Sequence, residues 1–237
     1  MSESRVRLQL LRAFELSDDG SHLILPLASK RLIAFLALRK DAAERSWAAE
    51  RLWPDCTPCR ATANLRSALF HVRRAGSPHL IDCVGHTLRL SPAAGTDLDL
   101  VSKAASEVTA GLDLPPELRT GLIEALRREL LPDWSEDWLV LERERWDQLR
   151  LHALETLARQ LRAEQRYVPA LQTALSAVAI DPVRETAHRI VMEVHIAEGN
   201  TAIALKRYQA YKAFLERELN ITPSQQMAQL VKDLMPQ

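Results

Sequence analysis

The stretch from Cys56 to Ser91 constrains this chain more than any other. Leu65, Ala68, Leu69 and Val72 recur at helical spacing and define one apolar seam. Half a turn away lie Arg60, Ala63, Ser67, Phe70, His71 and Arg74, flanked by Arg66 and Arg73 on one side and Asn64 on the other. A helix with one greasy seam and an outer face of Arg, Asn, Ser and His suits a DNA groove. It equally suits a solvated basic helix held down by its seam, so the surrounding chain has to decide.

The 237 residues suffice for one large domain or two ordinary ones. A hydrophobic share of 47% with 26% charged residues is globular rather than disordered, and a count of only 7 Gly favours helix. No apolar run approaches the roughly 18–20 residues that cross a bilayer. The first residues lack the apolar core of a signal peptide, and 3 cysteines do not make a secreted disulfide framework. A cytoplasmic protein is expected. The formal net charge of zero conceals a division: residues 1–95 carry 14 Lys+Arg against 9 Asp+Glu, and residues 96–237 carry 17 against 22. A basic half joined to an acidic half permits polyphosphate binding by the first without requiring it.

Val6, Leu8 and Leu10 alternate with polar residues, Asp18-Asp19-Gly20 signals a turn, and His22–Pro26 reads as a return strand. Ser29 offers an N-cap to a helix over Lys30–Arg39, with Leu32, Phe35, Leu36 and Leu38 facing the core. A short helix over Ser46–Leu52 ends at Trp53-Pro54, and the two-faced helix starts near Pro58. After Gly76-Ser77-Pro78 come two β segments, His79–Cys83 and His86–Leu90. Three helices followed by a hairpin predict a winged helix, and the leading strands predict the variety in which a small antiparallel sheet precedes the helices. Ser91–Gly95 reads as the linker, which divides the chain into residues 1–94 and 95–237.

Beyond it the pattern is helical, interrupted at Leu114-Pro-Pro116 and Leu131-Pro-Asp133. From Leu151 a period of about 34 residues fits tetratricopeptide helix pairs. Leu154, Leu157 and Ala158 occupy a first helix, Ala170, Ala174 and Ala177 a second, and Pro182 closes the unit. His188, Val191, Met192, Ala204 and Tyr208 take the corresponding places in a looser second unit. A last helix, Gln225–Leu234, caps the array through Leu230, Val231 and Leu234. The expected fold is mainly α in two domains: a winged helix-turn-helix with a small antiparallel sheet, then a tetratricopeptide-like α-helical repeat domain.

Four stretches resemble SARP-type bacterial transcriptional activators, which join a response-regulator-type winged helix to a bacterial transcriptional activator domain. They are Lys30–Leu38, Leu52-Trp-Pro-Asp55, Ala63–Arg74, and Leu131-Pro-Asp-Trp-Ser-Glu-Asp-Trp-Leu-Val-Leu-Glu-Arg-Glu-Arg145. Asp181–Arg189 and Glu218–Ser224 are similar to that family as well. The resemblance spans nearly the whole chain. It implies a sequence-specific activator that binds double-stranded promoter DNA at repeated sites and helps recruit RNA polymerase, with a homodimer as one possible form. Larger family members append ATPase or forkhead-associated modules. No Gly-x-x-x-x-Gly-Lys phosphate loop is present, so no nucleotide hydrolysis is expected. No nucleophile–base pair or carboxylate pair at mechanistic spacing stands out, so neither enzyme activity nor a cofactor is expected.

Within the winged helix, Asn64, Ser67, His71 and Arg74 are the candidates for base edges or the nearby backbone, and Arg60, Arg66 and Arg73 for phosphates. His86 and Arg89 are the wing candidates for the minor groove or its phosphates. Trp47, Trp53, Trp134, Trp138 and Trp146 are expected in cores, the last three within the helical domain. Glu142, Glu144 and their neighbouring arginines read as a solvated or interdomain face. Cys56 and Cys59 form a Cys-x-x-Cys at a helix N-terminus, and Cys83-Val-Gly-His86 would complete a zinc set on paper. Ordinary thiols, a redox switch and a zinc site are the three readings, and the resemblance speaks against the metal. Two further classes stay open for the whole chain: a protein-binding adaptor without specific DNA binding, and a thiol- or metal-responsive regulator.

Overall fold

The alternation of Leu8 and Leu16 against polar neighbours gives each segment one inward face. In a computed structural model, which describes residues 6–75 and 79–233, these two leucines stand opposite each other and are buried. They belong to β1 (Val6–Gln9) and β2 (Glu15–Asp18), which pair antiparallel. β3 (Ser21–His22) adds to β2; the expected return strand to Pro26 stops after two residues. Helix α1 (Leu27–Arg39) follows, then β4 (Ala43–Glu44), α2 (Arg45–Leu52) and α3 (Pro58–Arg74). β5 (Ile81–Val84) and β6 (Thr87–Leu90) form a hairpin, and β4 pairs with β6 to give a three-stranded sheet. The expected turn at Gly76–Pro78 lies outside the described residues.

Two local expectations change. Ser29 does not cap α1, which begins at Leu27 after Pro26. Its hydroxyl is buried and donates to the Ala68 carbonyl of α3 at 3.0 Å, because α1 is buried almost all round from Leu32 to Leu38 and serves as the spine that α3 and β6 rest on. The linker expected at Ser91–Gly95 runs into a strand. β7 (Ala94–Thr96) pairs parallel with β1, placing buried Thr96 opposite Leu8 in a sheet of order β3-β2-β1-β7. The Pro and Ala residues that suggested a linker sit just before a strand too short to show any alternation.

α4 (Asp97–Thr109) begins directly after β7, and its first residue closes the end of β1. The Asp97 carboxylate accepts from the backbone N–H groups of Leu10 at 2.8 Å and Leu11 at 3.1 Å, and from Leu98 at 2.8 Å. Burial pushes its carboxyl above the usual carboxylate range, against the pull of those three donors.

The packing divides the chain into two compact units, Met1–Lys103 with Arg128–Trp146, and Ala104–Arg127 with Asp147–Gln237. Residues 128–146 return to the first unit by specific bonds. Leu131 N–H donates to the Leu10 carbonyl and Arg12 N–H to the Glu129 carbonyl, continuing the pairing of the β1 segment. Half-buried Trp134 stacks on Phe14 and Trp138 meets Phe35 edge-on; Trp138 and Trp146 are buried, and all three belong to the winged-helix unit, not to the helical repeat. Arg143, expected on a solvated charged face, grips the carbonyls of Leu130, Leu131 and Trp134, where the chain turns at Leu131 with φ 44°. Glu136 accepts from Arg31 at 2.6 Å and from Trp138 Nε1 at 3.1 Å.

In the second unit, α5 (Pro116–Leu126), α7 (Tyr167–Ile180), α8 (Glu185–Ala197), α9 (Thr201–Leu219) and α10 (Gln225–Lys232) join the far part of α6 (Asp137–Ala163). α7 packs on α8 and α8 on α9, with Ala170, Ala174, Ala177, Ala187 and Ala204 fully buried, so small residues let the helices approach as the repeat pattern predicts. Met192, Ala204, Tyr211, Leu215, Met227 and Val231 form one cluster, in which α10 covers the array through Met227 and Val231; the expected contribution of Leu234 lies outside the described residues. Ion pairs fix the ends of the elements. Arg184 bonds both oxygens of buried Glu155, and the Glu185 carboxylate accepts from Ser224 N–H at 2.8 Å and from its hydroxyl.

Two stability predictions follow from these interiors. Asp97→Ala strands the N–H groups of Leu10 and Leu11 and is expected to cost about 2–4 kcal/mol, read as a lowered midpoint in denaturant unfolding. His188 is stacked on Tyr211 with ring centroids 4.0 Å apart, and burial holds its pKa down to about 4, with Arg207 pushing the same way and Asp181 opposing. A depressed histidine takes up its proton more readily in the unfolded chain, so stability is lost as pH falls from about 6.5 to about 4, by about 2 kcal/mol. His188→Phe is expected to flatten that slope relative to the parent chain in unfolding curves taken across the range.

Candidate nucleic-acid interface

α3 forms because Pro58 fits its first turn, where no intrahelical N–H is required, and because its apolar residues repeat on one side. Ala61, Leu65, Ala68, Leu69 and Val72 are buried against α1 and α2. That burial fixes the rotation of the helix about its axis. Arg60, Ala63, Arg66, Ser67, Phe70, Arg73 and Arg74 are consequently exposed, and Asn64 and His71 half-buried at the margins. α3 contains no acidic residue, and its last turn carries His71, Arg73 and Arg74. Among the described residues Arg60, Arg66 and Arg74 make no ion pair or hydrogen bond, so three guanidinium groups stand unneutralised along one face.

The remaining candidates are partly engaged. Arg73 Nη2 lies 3.6 Å from Cys83 Sγ on β5, which ties the end of α3 to the hairpin. Asn64 Nδ2 lies 3.8 Å from Cys56 Sγ. Arg89 is ion-paired with Asp82 at 3.1 Å, its register partner across the hairpin. His86 is exposed at the hairpin turn beside Gly85, whose φ of 56° sets the left-handed bend, and its carbonyl accepts from Arg45 N–H at 2.9 Å. The wing therefore offers His86 more openly than Arg89.

One residue was placed on the outer face by the sequence but given no task there. Phe70 is 58% exposed between the arginines and meets the His71 ring edge-on at 5.6 Å. A bare aromatic among cations on an exposed helix face has the chemistry for a thymine methyl or a sugar face.

The three cysteines are free, Cys59 exposed and Cys56 and Cys83 half-buried. Among the described residues no group of three or more His, Cys, Asp or Glu is gathered as a metal site, so Cys56, Cys59, Cys83 and His86 do not converge as the zinc reading required. No helix among the described residues is long and apolar enough to cross a membrane.

Comparison with known proteins adds three findings. The bacterial transcriptional activator domain family matches residues 97–235. No curated protein matches the chain in sequence. A solved structure of Mycobacterium tuberculosis EmbR in complex with a low-affinity phosphopeptide is similar in fold, with a TM-score of 0.73 at 16% identity. That similarity covers 97% of this chain and 65% of the EmbR chain, so this chain spans less than two thirds of that protein. Since the family match takes in more than half of the sequence, the chain belongs to the bacterial transcriptional activator domain family.

Proposed function

We propose that this regulator binds double-stranded promoter DNA by laying α3 in the major groove, with the hairpin turn at His86 on the neighbouring backbone. The observation that carries the reading is the acid-free exposed face of α3, with Arg60, Arg66 and Arg74 unpaired beside Phe70. Arg60, Arg66 and Arg73 are placed for phosphates; Asn64, Ser67, His71 and Arg74 for base edges or the nearby backbone. Arg89, engaged by Asp82, has a supporting part in the wing. In this reading residues 1–94 are the DNA-binding domain and residues 95–237 the activator domain, through which RNA polymerase or a second copy of the chain is engaged in the cytoplasm. No chemical step or cofactor enters it.

The test is selection of bound fragments from a random duplex pool by the full chain, followed by anisotropy titrations from about 50 to 200 mM salt. At about −0.9 per neutralised phosphate, three arginines predict a slope of log K on log salt of about −2.7 or steeper. Arg66→Ala is expected to weaken all sequences alike and flatten the slope by about 0.9; Asn64→Ala is expected to cost about 1–3 kcal/mol on the selected site while leaving non-specific binding intact. If the chain selects no sequence and the variants bind random duplex as the parent does, the adaptor reading takes over.

A thiol-responsive regulator is the second reading, favoured by one specific observation. Cys56 and Cys83 each sit within sulfur hydrogen-bond distance of a proposed DNA-facing residue, Asn64 and Arg73. Oxidation at Cys56 or Cys59, at the N-terminal end of α3, would then disturb Asn64 first. Affinity that drops under mild oxidant in the parent and holds in Cys56→Ser supports this; equal affinity under reducing and oxidising conditions in both removes it.

A further inference from the structure

The helical unit contains a cavity whose chemistry the DNA-binding reading leaves unused. It measures about 200 Å³ and is lined by Pro182, His188, Arg207, Ala210, Tyr211 and Phe214, from the α7–α8 connection, α8 and α9. The aromatic wall is rigidly built. The His188 and Tyr211 rings are stacked with 23° between their planes, the Tyr211 hydroxyl donates to the Val183 carbonyl at 2.7 Å, and His188 Nε2 donates to the Pro182 carbonyl at 3.0 Å. Both polar ends of the stack are thus anchored on one loop. With its Nε2 proton so used, the neutral His188 ring presents Nδ1 as an acceptor, and that nitrogen is buried without a partner.

Arg207 is the second unsatisfied group. Its Nε is buried without a hydrogen-bond partner, and no carboxylate among the described residues pairs with its guanidinium. Loss of hydration lowers its affinity for the proton, with no acidic neighbour to restore it. A half-buried cation normally finds a carboxylate, because an uncompensated charge away from water is costly. The unit has that solution elsewhere: Arg119 holds Asp113 and Glu164, and Arg184 holds Glu155. Arg207 has no such partner among the described residues, and it lines a small cavity with ring walls. Burial holds His188 neutral down to about pH 4, which leaves Arg207 as the cation of the cavity.

We infer that this cavity binds a small aromatic carboxylate, its carboxylate on the Arg207 guanidinium and its ring against Tyr211 and Phe214. The volume admits one ring and its acid group, and the mixture of mostly apolar wall and a single cation is the usual make-up of a small-molecule site. A bidentate guanidinium–carboxylate pair supplies orientation, and the stacked rings supply the apolar contact. A nucleic acid or a membrane surface has no way into a recess of this size. The inference does not depend on how α3 is used, since every lining residue belongs to the helical unit.

The experiment is calorimetric titration of the full chain with benzoate, phenylacetate, benzamide and inorganic phosphate in parallel. Saturable binding of benzoate or phenylacetate is expected, with benzamide and phosphate each at least about 10-fold weaker, a factor worth one charge-assisted contact or one ring contact. Arg207→Met keeps an unbranched apolar stem and removes the charge; it is expected to weaken the carboxylates about 10-fold or more while leaving the helical circular dichroism unchanged. Ala210→Phe, at an exposed lining position one turn from Arg207, fills the cavity while keeping the cation and is expected to abolish binding. Benzamide binding as tightly as benzoate, phosphate matching the aromatic acids, or retention of affinity in both variants overturns the assignment. An absence of saturable heat from any probe overturns it too.

Discussion

The burial of one seam of α3 is the constraint on which the rest of this structure turns. Leu65, Ala68, Leu69 and Val72 can leave water only against α1 and α2, and the Ser29 hydroxyl bonded to the Ala68 carbonyl locks the contact. Each buried leucine or valine among them is worth roughly 1.5–3 kcal/mol, more than an exposed contact the arginines could make within the chain. The outward direction of Arg60, Arg66 and Arg74 is therefore a by-product of packing. The fold decides which face meets solvent, and the sequence has placed cations and no acids there.

α1 and the segment from Arg128 to Trp146 hold that arrangement from behind. Phe35 on α1 touches Trp47 on one side and Trp138 on the other, and Glu136 joins Arg31 to the Trp138 indole. This packing changes the electrostatic picture. Taken as residues 1–95 the N-terminal part is basic by five charges, but the first packed unit holds 18 Lys+Arg against 17 Asp+Glu. Long-range steering by a basic half thus loses its footing, since screening already limits it to about 8–10 Å in physiological salt. What remains is the local cationic surface of α3, and the DNA-binding reading rests on that alone.

The order of elements and the two faces of α3 were legible because period and punctuation agree there: Pro58 at the start, apolar residues every third or fourth position, and a hairpin marked by Gly85. The repeat was legible from Ala170, Ala174, Ala177 and Ala204, which are all buried. Misreadings came where long-range partners decide. β7 has three residues and exists because β1 offers an edge; Ser29 has a good capping side chain but found a carbonyl 39 residues away. The tryptophans at 134, 138 and 146 looked like helical-domain core since nothing local tells a helix which unit its aromatics will join. At the candidate interface the sequence supplied the face but not the engagement of Arg89 by Asp82 or of Arg73 by Cys83, contacts that only the hairpin's register creates.

The central claim is that DNA meets the outer face of α3. Photo-crosslinking tests it most directly, with a short crosslinker placed at Ala63, amid the exposed residues of α3, and in a second preparation at Ile203, an exposed position on α9. The account predicts crosslinks to duplex DNA from Ala63 that vanish with added salt, and none from Ile203. Crosslinks from Ile203 with none from Ala63 would contradict it.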